Sequence, residues 1–356
     1  MVLQRLERLR VALAKADLDA VLVTSVENIR YLSGFTSSDG VLLITEKESL
    51  LFTDFRYVIQ AKEQAPHFAL CETTYETMDA EIEAALARND CKRCGFEQTN
   101  VTVAAFESYR KMPVEFVPYA AELTELRLIK TADEIESLRK AQQIADAAYA
   151  KLLTRVHSGM TERQVVAELN YLCSNLGSEG PSFDPIVGSG PNGAMCHAVP
   201  CDRKLQNGDL VVVDFGCIYN GYHSDMTRTF GVGSVDDELR RIYDIVLKAQ
   251  LLALDAVKAG ITGMELDAAA RDYIETCGYG EAFGHGLGHG FGLEIHEAPR
   301  ASKKSDQVLL PGMTVTIEPG IYLEGKGGVR IEDCCVVTED GKINLVSSPK
   351  ELVLIS

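Results

Sequence analysis

The chain has neither an excess of cations nor a long apolar run. Its 356 residues include 35 Lys and Arg against 52 Asp and Glu, a formal charge of −17. No basic cluster interrupts that background, so phosphate backbones and anionic lipid surfaces are repelled, and neither nucleic acid nor membrane is an expected partner. No stretch reaches the roughly 18 apolar residues that a membrane-spanning helix needs. A secretory pattern is missing too: Met1 to Ala14 interleaves apolar residues with arginines at helical spacing and reads as an amphipathic helix. A cytoplasmic protein is the expectation. Solenoid-period repeats and low-complexity segments are absent. The ten cysteines are scattered, and Cys91 with Cys94 has no second pair to complete a zinc site. Cys334 and Cys335 are neighbours on a strand and point to opposite faces, where a thiol acts as a small hydrophobe. Reduced, structural thiols are expected throughout.

What is present divides into two parts. At about 100 to 200 residues per domain the length predicts two, with domains at 1–125 and 126–356. In the first, Leu3 to Ala16 has helical periodicity, and Ala20 to Val23, Gly40 to Ile44 and Leu50 to Thr53 read as strands; Thr53-Asp54-Phe55-Arg56-Tyr57 marks a strand handing over to a helix. This is a mixed α/β pattern. In the second, long helices start at capping boxes: Thr131 with Glu134, Thr161 with Gln164 and Thr262 with Glu265, with Ser234 and Asp237 as a weaker start. Strands are predicted over Leu210 to Cys217, Met226 to Val232, Thr314 to Ile317 and Val329 to Val337. Overall the fold class is α+β.

The chemistry is concentrated in those strands. Asp214 interrupts the apolar run Val211-Val212-Val213, and Asp225 follows in Ser224-Asp225-Met226-Thr227-Arg228-Thr229; a hairpin around Ile218 to Gly221 would set the two aspartates opposite each other. Glu318 and Glu332 repeat the arrangement around Gly325 to Gly328. Four anions in an apolar sheet repel one another and require countercharge, which divalent cations supply. Three histidines lie in Gly284-His285-Gly286-Leu287-Gly288-His289-Gly290-Phe291-Gly292-Leu293-Glu294-Ile295-His296. His285 and His289 imitate a helical metal pair, but the interleaved glycines predict an extended or looped segment. One of the three can then be a ligand while the others carry protons or bind substrate, and spacing alone leaves open which. His67 and His157 read as surface or structural, and His223 as a polar loop residue. Four carboxylates and one imidazole suit manganese or cobalt better than a thiolate zinc site does, and two ions about 3.5 to 4 Å apart form a hydrolytic centre.

From about Leu126 onward these motifs resemble the pita-bread metallopeptidases, the family of methionine aminopeptidase, aminopeptidase P and prolidase. The resemblance rests on Val213-Asp214-Phe215-Gly216, Ser224-Asp225-Met226-Thr227-Arg228-Thr229, Gly288-His289-Gly290-Phe291-Gly292, Ile317-Glu318-Pro319-Gly320 and Arg330-Ile331-Glu332-Asp333. It implies a catalytic domain with a pseudo-twofold curved antiparallel sheet covered by helices, behind a creatinase/prolidase-like amino-terminal domain. It implies Asp214, Asp225, His289, Glu318 and Glu332 as ligands of two divalent ions, manganese first, with cobalt or zinc as alternatives; Asp225 and Glu332 would bridge. It further implies that His197, His285 and His296 line the substrate site, with Glu318 as proton acceptor and Arg330 a candidate for fixing carboxylates or substrate. Arg300 is either a substrate-orienting group or a surface ion pair, and Tyr322 either borders the site or packs in the core. The large amino-terminal part is similar to that of the Xaa-Pro branch, implying short peptides with proline second as substrates and a homodimer as the assembly. Proline explains the specialisation, because its tertiary amide has no N–H and a fixed φ. No motif closes the far side of the site, so the sequence favours an Xaa-Pro aminopeptidase, with Xaa-Pro dipeptidase as the alternative; a methionine-removing enzyme and a non-catalytic binding protein on the same fold are the remaining rivals.

Overall fold

The computed structural model describes every residue, Met1 to Ser356, and separates into two compact units, Met1–Arg127 and Leu128–Ser356.

The first unit is built on a six-stranded mixed sheet. Ala20–Val23 and Arg93–Phe96 run parallel at its centre, and Val41–Thr45 pairs antiparallel with both Ala20–Val23 and Ser49–Thr53. The edges are Ala69–Glu72 and Glu115–Pro118, each paired in parallel to its inner neighbour. The central strand Ala-Val-Leu-Val is buried at all four positions, as a strand covered on both faces must be. The predicted helix forms over Val2–Lys15 and buries Leu6, Leu9 and Leu13, the stripe that its apolar period prescribes. Thr53 ends its strand and Val58 opens the helix Val58–Gln64, as the strand-to-helix motif predicts.

The second unit repeats one theme twice. Each half opens with a long helix and a shorter one, Ala132–Leu152 with Glu162–Asn175, then Asp237–Ala256 with Gly263–Thr276. Each half then supplies an antiparallel hairpin that carries a carboxylate pair. The capping boxes at Thr131, Thr161 and Thr262 all form. The helix Asp237–Ala256 instead starts on Asp236, whose carboxylate accepts from Leu239 N at 2.8 Å. Ser234 is displaced from the expected capping role because its amide donates to Asn207 Oδ1. Beneath the second helix pair, Ile242, Val246, Ala249, Leu266 and Ala270 pack on Val315, Ile317, Ile321 and Val329, all at or near zero exposure. Strands Leu210–Phe215 and Met226–Val232 are buried along their whole length. The strand pairs of this unit, spread over several short sheets, are antiparallel apart from Leu354–Ile355, which runs parallel beside Met226–Val232. The predicted strand Val329 to Val337 is two, Gly327–Arg330 and Asp333–Val337, broken at Ile331 and Glu332. No helix is long and apolar enough to cross a membrane, and all ten cysteines are free.

Candidate metal centre and active site

The first hairpin turns at Asn220 and Gly221, both at positive φ (48° and 71°), the conformation of a two-residue turn that matches strand twist. This centre fixes the register Thr227↔Asp214 and Met226↔Phe215. Asp225 therefore lies across from Gly216, and the two aspartates are offset by two residues, where the spacing alone predicts direct opposition. They still share a face as diagonal neighbours. A Cβ on Gly216 would stand 1.8 Å from the Ser224 carbonyl, so the strands can close at this point only around glycine.

The second hairpin keeps one register throughout, Ile317↔Asp333 and Gly320↔Arg330. Glu318 and Glu332 fall directly across from each other between those pairs. Thr316, two residues before Glu318 and on its face, donates to Glu318 Oε1 at 3.0 Å. Thr227 plays the same part from the first hairpin, donating to Glu332 Oε2 at 2.7 Å. These hydroxyls carry no role in the sequence reading, although their period-two spacing from Asp225 and Glu318 marks the shared face.

The glycine-rich segment is extended, with Gly288–Gly290 pairing antiparallel to Glu297–Ala301. A Cβ at Gly288 would lie 1.9 Å from the Thr316 carbonyl, and this close approach brings the segment onto the second hairpin. His289 donates Nδ1–H to the Gly290 carbonyl at 3.0 Å, which leaves Nε2 as a bare acceptor. Nε2 lies 3.6 Å from Asp225 Oδ2 and 3.4 Å from Glu318 Oε1. Donor atoms of Asp225, His289 and Glu332 all lie within 4.8 Å of one another.

The cluster is electrostatically incomplete. Burial, then repulsion from Glu332, Asp214 and Glu318, pushes Asp225 well above the usual carboxylate range. Burial with repulsion from Glu318 and Asp214 does the same to Glu332, and burial raises Glu318 to about 7. Burial holds His289 down at about 3, so its imidazole is neutral at pH 7. Arg330 is the cation inside the group: Nη2 meets Asp214 Oδ2 at 2.6 Å, Nε donates to Thr227 Oγ1, and Nη1 donates to Tyr322 Oη and the Cys196 carbonyl. Asp214 Oδ1 is buried with no hydrogen-bond partner. An orphaned buried carboxylate oxygen beside mutually repelling acids and a lone-pair imidazole fits divalent cations.

The cluster forms one wall of a cavity of about 520 Å³, whose lining includes His197, His285, His296, Phe183, Ile186 and Ile295. His285 donates Nδ1–H to the Gly286 carbonyl, so Nε2 accepts from Tyr322 Oη at 2.9 Å; burial lowers its pKa to about 4. Tyr322 thus links His285 to Arg330 and borders the site. The His296 ring stands 4.4 Å from that of His289, and His197, exposed, lines the same cavity. His67 and His157 are exposed and are not among the residues lining the cavity, and His223 is half-buried at the first hairpin. Arg300 is across from His289 in the ribbon register and lines the same cavity, exposed, with no hydrogen bond or ion pair inside the chain.

Residues 136–339 match the model of metallopeptidase family M24, and residues 5–129 match the creatinase/prolidase N-terminal domain. The chain belongs to metallopeptidase family M24. This M24 metallopeptidase is 39% identical over 353 residues to an Xaa-Pro dipeptidase of Pyrococcus furiosus, spanning 98% of this chain and 99% of the relative. The structure of an Xaa-Pro dipeptidase from Bacillus anthracis superposes with a TM-score of 0.97 at 44% identity, covering 100% of both chains. An X-Pro aminopeptidase from Thermotoga maritima gives 0.92 at 37% identity, covering 99% of this chain and 100% of that one. The M24 match and these likenesses show a metal-dependent peptidase and set aside the non-catalytic binding protein.

Proposed function

We propose that the chain is an Xaa-Pro dipeptidase, with Asp214, Asp225, His289, Glu318 and Glu332 holding two divalent ions, manganese before cobalt or zinc. When bound, such ions supply Lewis-acid polarisation and a nucleophile competent at neutral pH. The observation that carries the dipeptidase reading is Arg300, a guanidinium with no internal partner on the same ribbon face as His289. In Xaa-Pro the proline ring is followed at once by a carboxylate, which a guanidinium can grip with two bonds; in a longer peptide that position is a neutral amide. Arg300 would therefore take up the substrate's carboxylate, the restriction to dipeptides whose lack in the motifs favours an aminopeptidase. The relatives named Xaa-Pro dipeptidase support the same choice.

The remaining roles follow from chemistry. Glu318 takes the proton of the attacking water, as a carboxylate that lines the cavity beside His289 can. His296 and His197, both lining the cavity, donate to the scissile carbonyl and its developing oxyanion. Tyr322 and Arg330 hold His285 and Asp214 in orientation. Phe183, Ile186 and Ile295 supply apolar surface for the substrate's proline ring or leading side chain. A homodimer is part of the proposal, to be checked by light scattering.

The test is a chain-length series with manganese added. Xaa-Pro should be cleaved with kcat/KM about 10- to 100-fold above Xaa-Pro-NH2 and Xaa-Pro-Yaa, the scale of one charged hydrogen bond, and Arg300→Ala should erase the difference. Faster cleavage of the tripeptide would establish the aminopeptidase, the second reading that the Thermotoga likeness favours. Faster cleavage of a Met-Ala peptide would overturn both.

A further inference from the structure

The segment from Ser189 to Cys201 lines the cavity with Cys196 and His197, and its two ends are fastened to one side chain. Glu162, the first residue of the helix Glu162–Asn175, has no exposed surface. Its Oε1 accepts from Ser189 N at 2.8 Å and from Ser189 Oγ at 2.7 Å. Its Oε2 accepts from Cys201 N at 3.1 Å and from Cys201 Sγ at 3.2 Å. Asn192 Nδ2 bridges both oxygens, at 3.0 and 3.2 Å. Burial alone would raise this carboxyl, but the bonds from Ser189 and Cys201 outweigh it and hold it below its ordinary value, so the acceptor is anionic.

Between those ends Gly190–Ala194 forms a 3-10 turn seated against the backbone of Gly328, and most side chains that follow are at least partly exposed. Met195 is 52% exposed and Val199 82% exposed, while Cys196 and His197 face the cavity. The middle is tied by the Cys196 carbonyl, which accepts from Arg330 Nη1 at 3.2 Å. His197 follows directly. Its position is thus set by the Cys196 hydrogen bond, by the buried Ala198 beside it and by the carboxylate that gathers both ends of the segment.

We propose that Glu162 is a positioning residue of the active site, holding the Ser189–Cys201 segment in the one arrangement that presents His197 to the substrate carbonyl. This rests on the role given above to His197, and the experiment separates the two ideas. Glu162→Gln keeps the size of the side chain but replaces an acceptor with a donor facing Ser189 and Cys201. The variants Glu162→Gln, His197→Ala and their combination are compared with the unaltered protein on an Xaa-Pro dipeptide, with manganese stoichiometry measured in each. Each single change should lower kcat/KM about 10- to 100-fold, and Glu162→Gln in the His197→Ala background should lower it less than about 2-fold further, because coupled residues are not additive. All three should still hold two ions per chain. Full additivity, or loss of an ion in Glu162→Gln, would overturn the proposal. An unchanged kcat/KM in His197→Ala would remove the role of His197 and the proposal with it, leaving the metal-dependent activity intact. If Glu162→Gln does not fold by circular dichroism, Asn192→Ala takes its place. That variant removes one donor from the mount and should show a smaller loss of the same non-additive kind; no loss would count against the proposal.

Discussion

Both units bury carboxylates, and those of the candidate metal centre are treated in the opposite way from Glu97. In the first unit Glu97 is 2% exposed and fully engaged: Thr24 N and Oγ1, Ser25 N and Oγ, and Asn28 Nδ2 all donate to it. In the second, Asp225 is 4% exposed and Glu332 1%. Glu332 receives one hydroxyl and Glu318 one, while Asp214 leaves an oxygen bare. Burial is therefore not the sign of function. Donors contributed by the chain mark a structural acid, and their shortage marks one that awaits cations from outside.

The contrast can be broken by exchanging what each acid can do. The largest effect is expected for Glu318→Gln, which should lower kcat about 10²- to 10⁴-fold with little change in KM, as loss of a general base does; a change in KM alone would remove its role. Asp225→Asn comes next. It should lose tight binding of at least one ion while raising the melting temperature of the metal-free protein, because a repelling buried charge has gone. A metal-free protein that melts lower would show the acids are not in conflict. His296→Ala should lower kcat about 10- to 100-fold with both ions retained, and loss of an ion would exchange donor for ligand. In the first unit the sign reverses: Glu97→Ala should destabilise by about 1 to 3 kcal/mol by orphaning its donors, measured by urea unfolding, with metal binding untouched. The smallest effect is in pH. Because the folded metal-free protein holds Glu318 at about 7 against an ordinary 4.5, its stability is greatest below pH 4.5 with respect to this group. That contribution is lost as pH rises from about 4.5 to 7, and manganese should abolish the decline seen by scanning calorimetry.

Much of this was legible in local patterns. The boxes at Thr131, Thr161 and Thr262 need only four residues, and they form as read. Glu318 and Glu332 face each other because that hairpin is continuous in register. The aspartate pair is offset because the turn centres on Asn220-Gly221, a dipeptide that itself favours a two-residue hairpin and would have given the register. The edge strands Ala69–Glu72 and Glu115–Pro118 escape pattern reading because they are only four residues long and their outer positions are exposed. The mount at Glu162 depends on residues 27 to 39 positions away in the chain, and no local signal announces it.

The central claim is that the second unit's unsatisfied acids cage two cations. Calorimetric titration of manganese into the metal-free protein tests it most directly. Two ions per chain should bind, and in Asp225→Asn the saturable uptake should fall below two. No saturable uptake, or an identical two-ion isotherm in Asp225→Asn, would contradict the account.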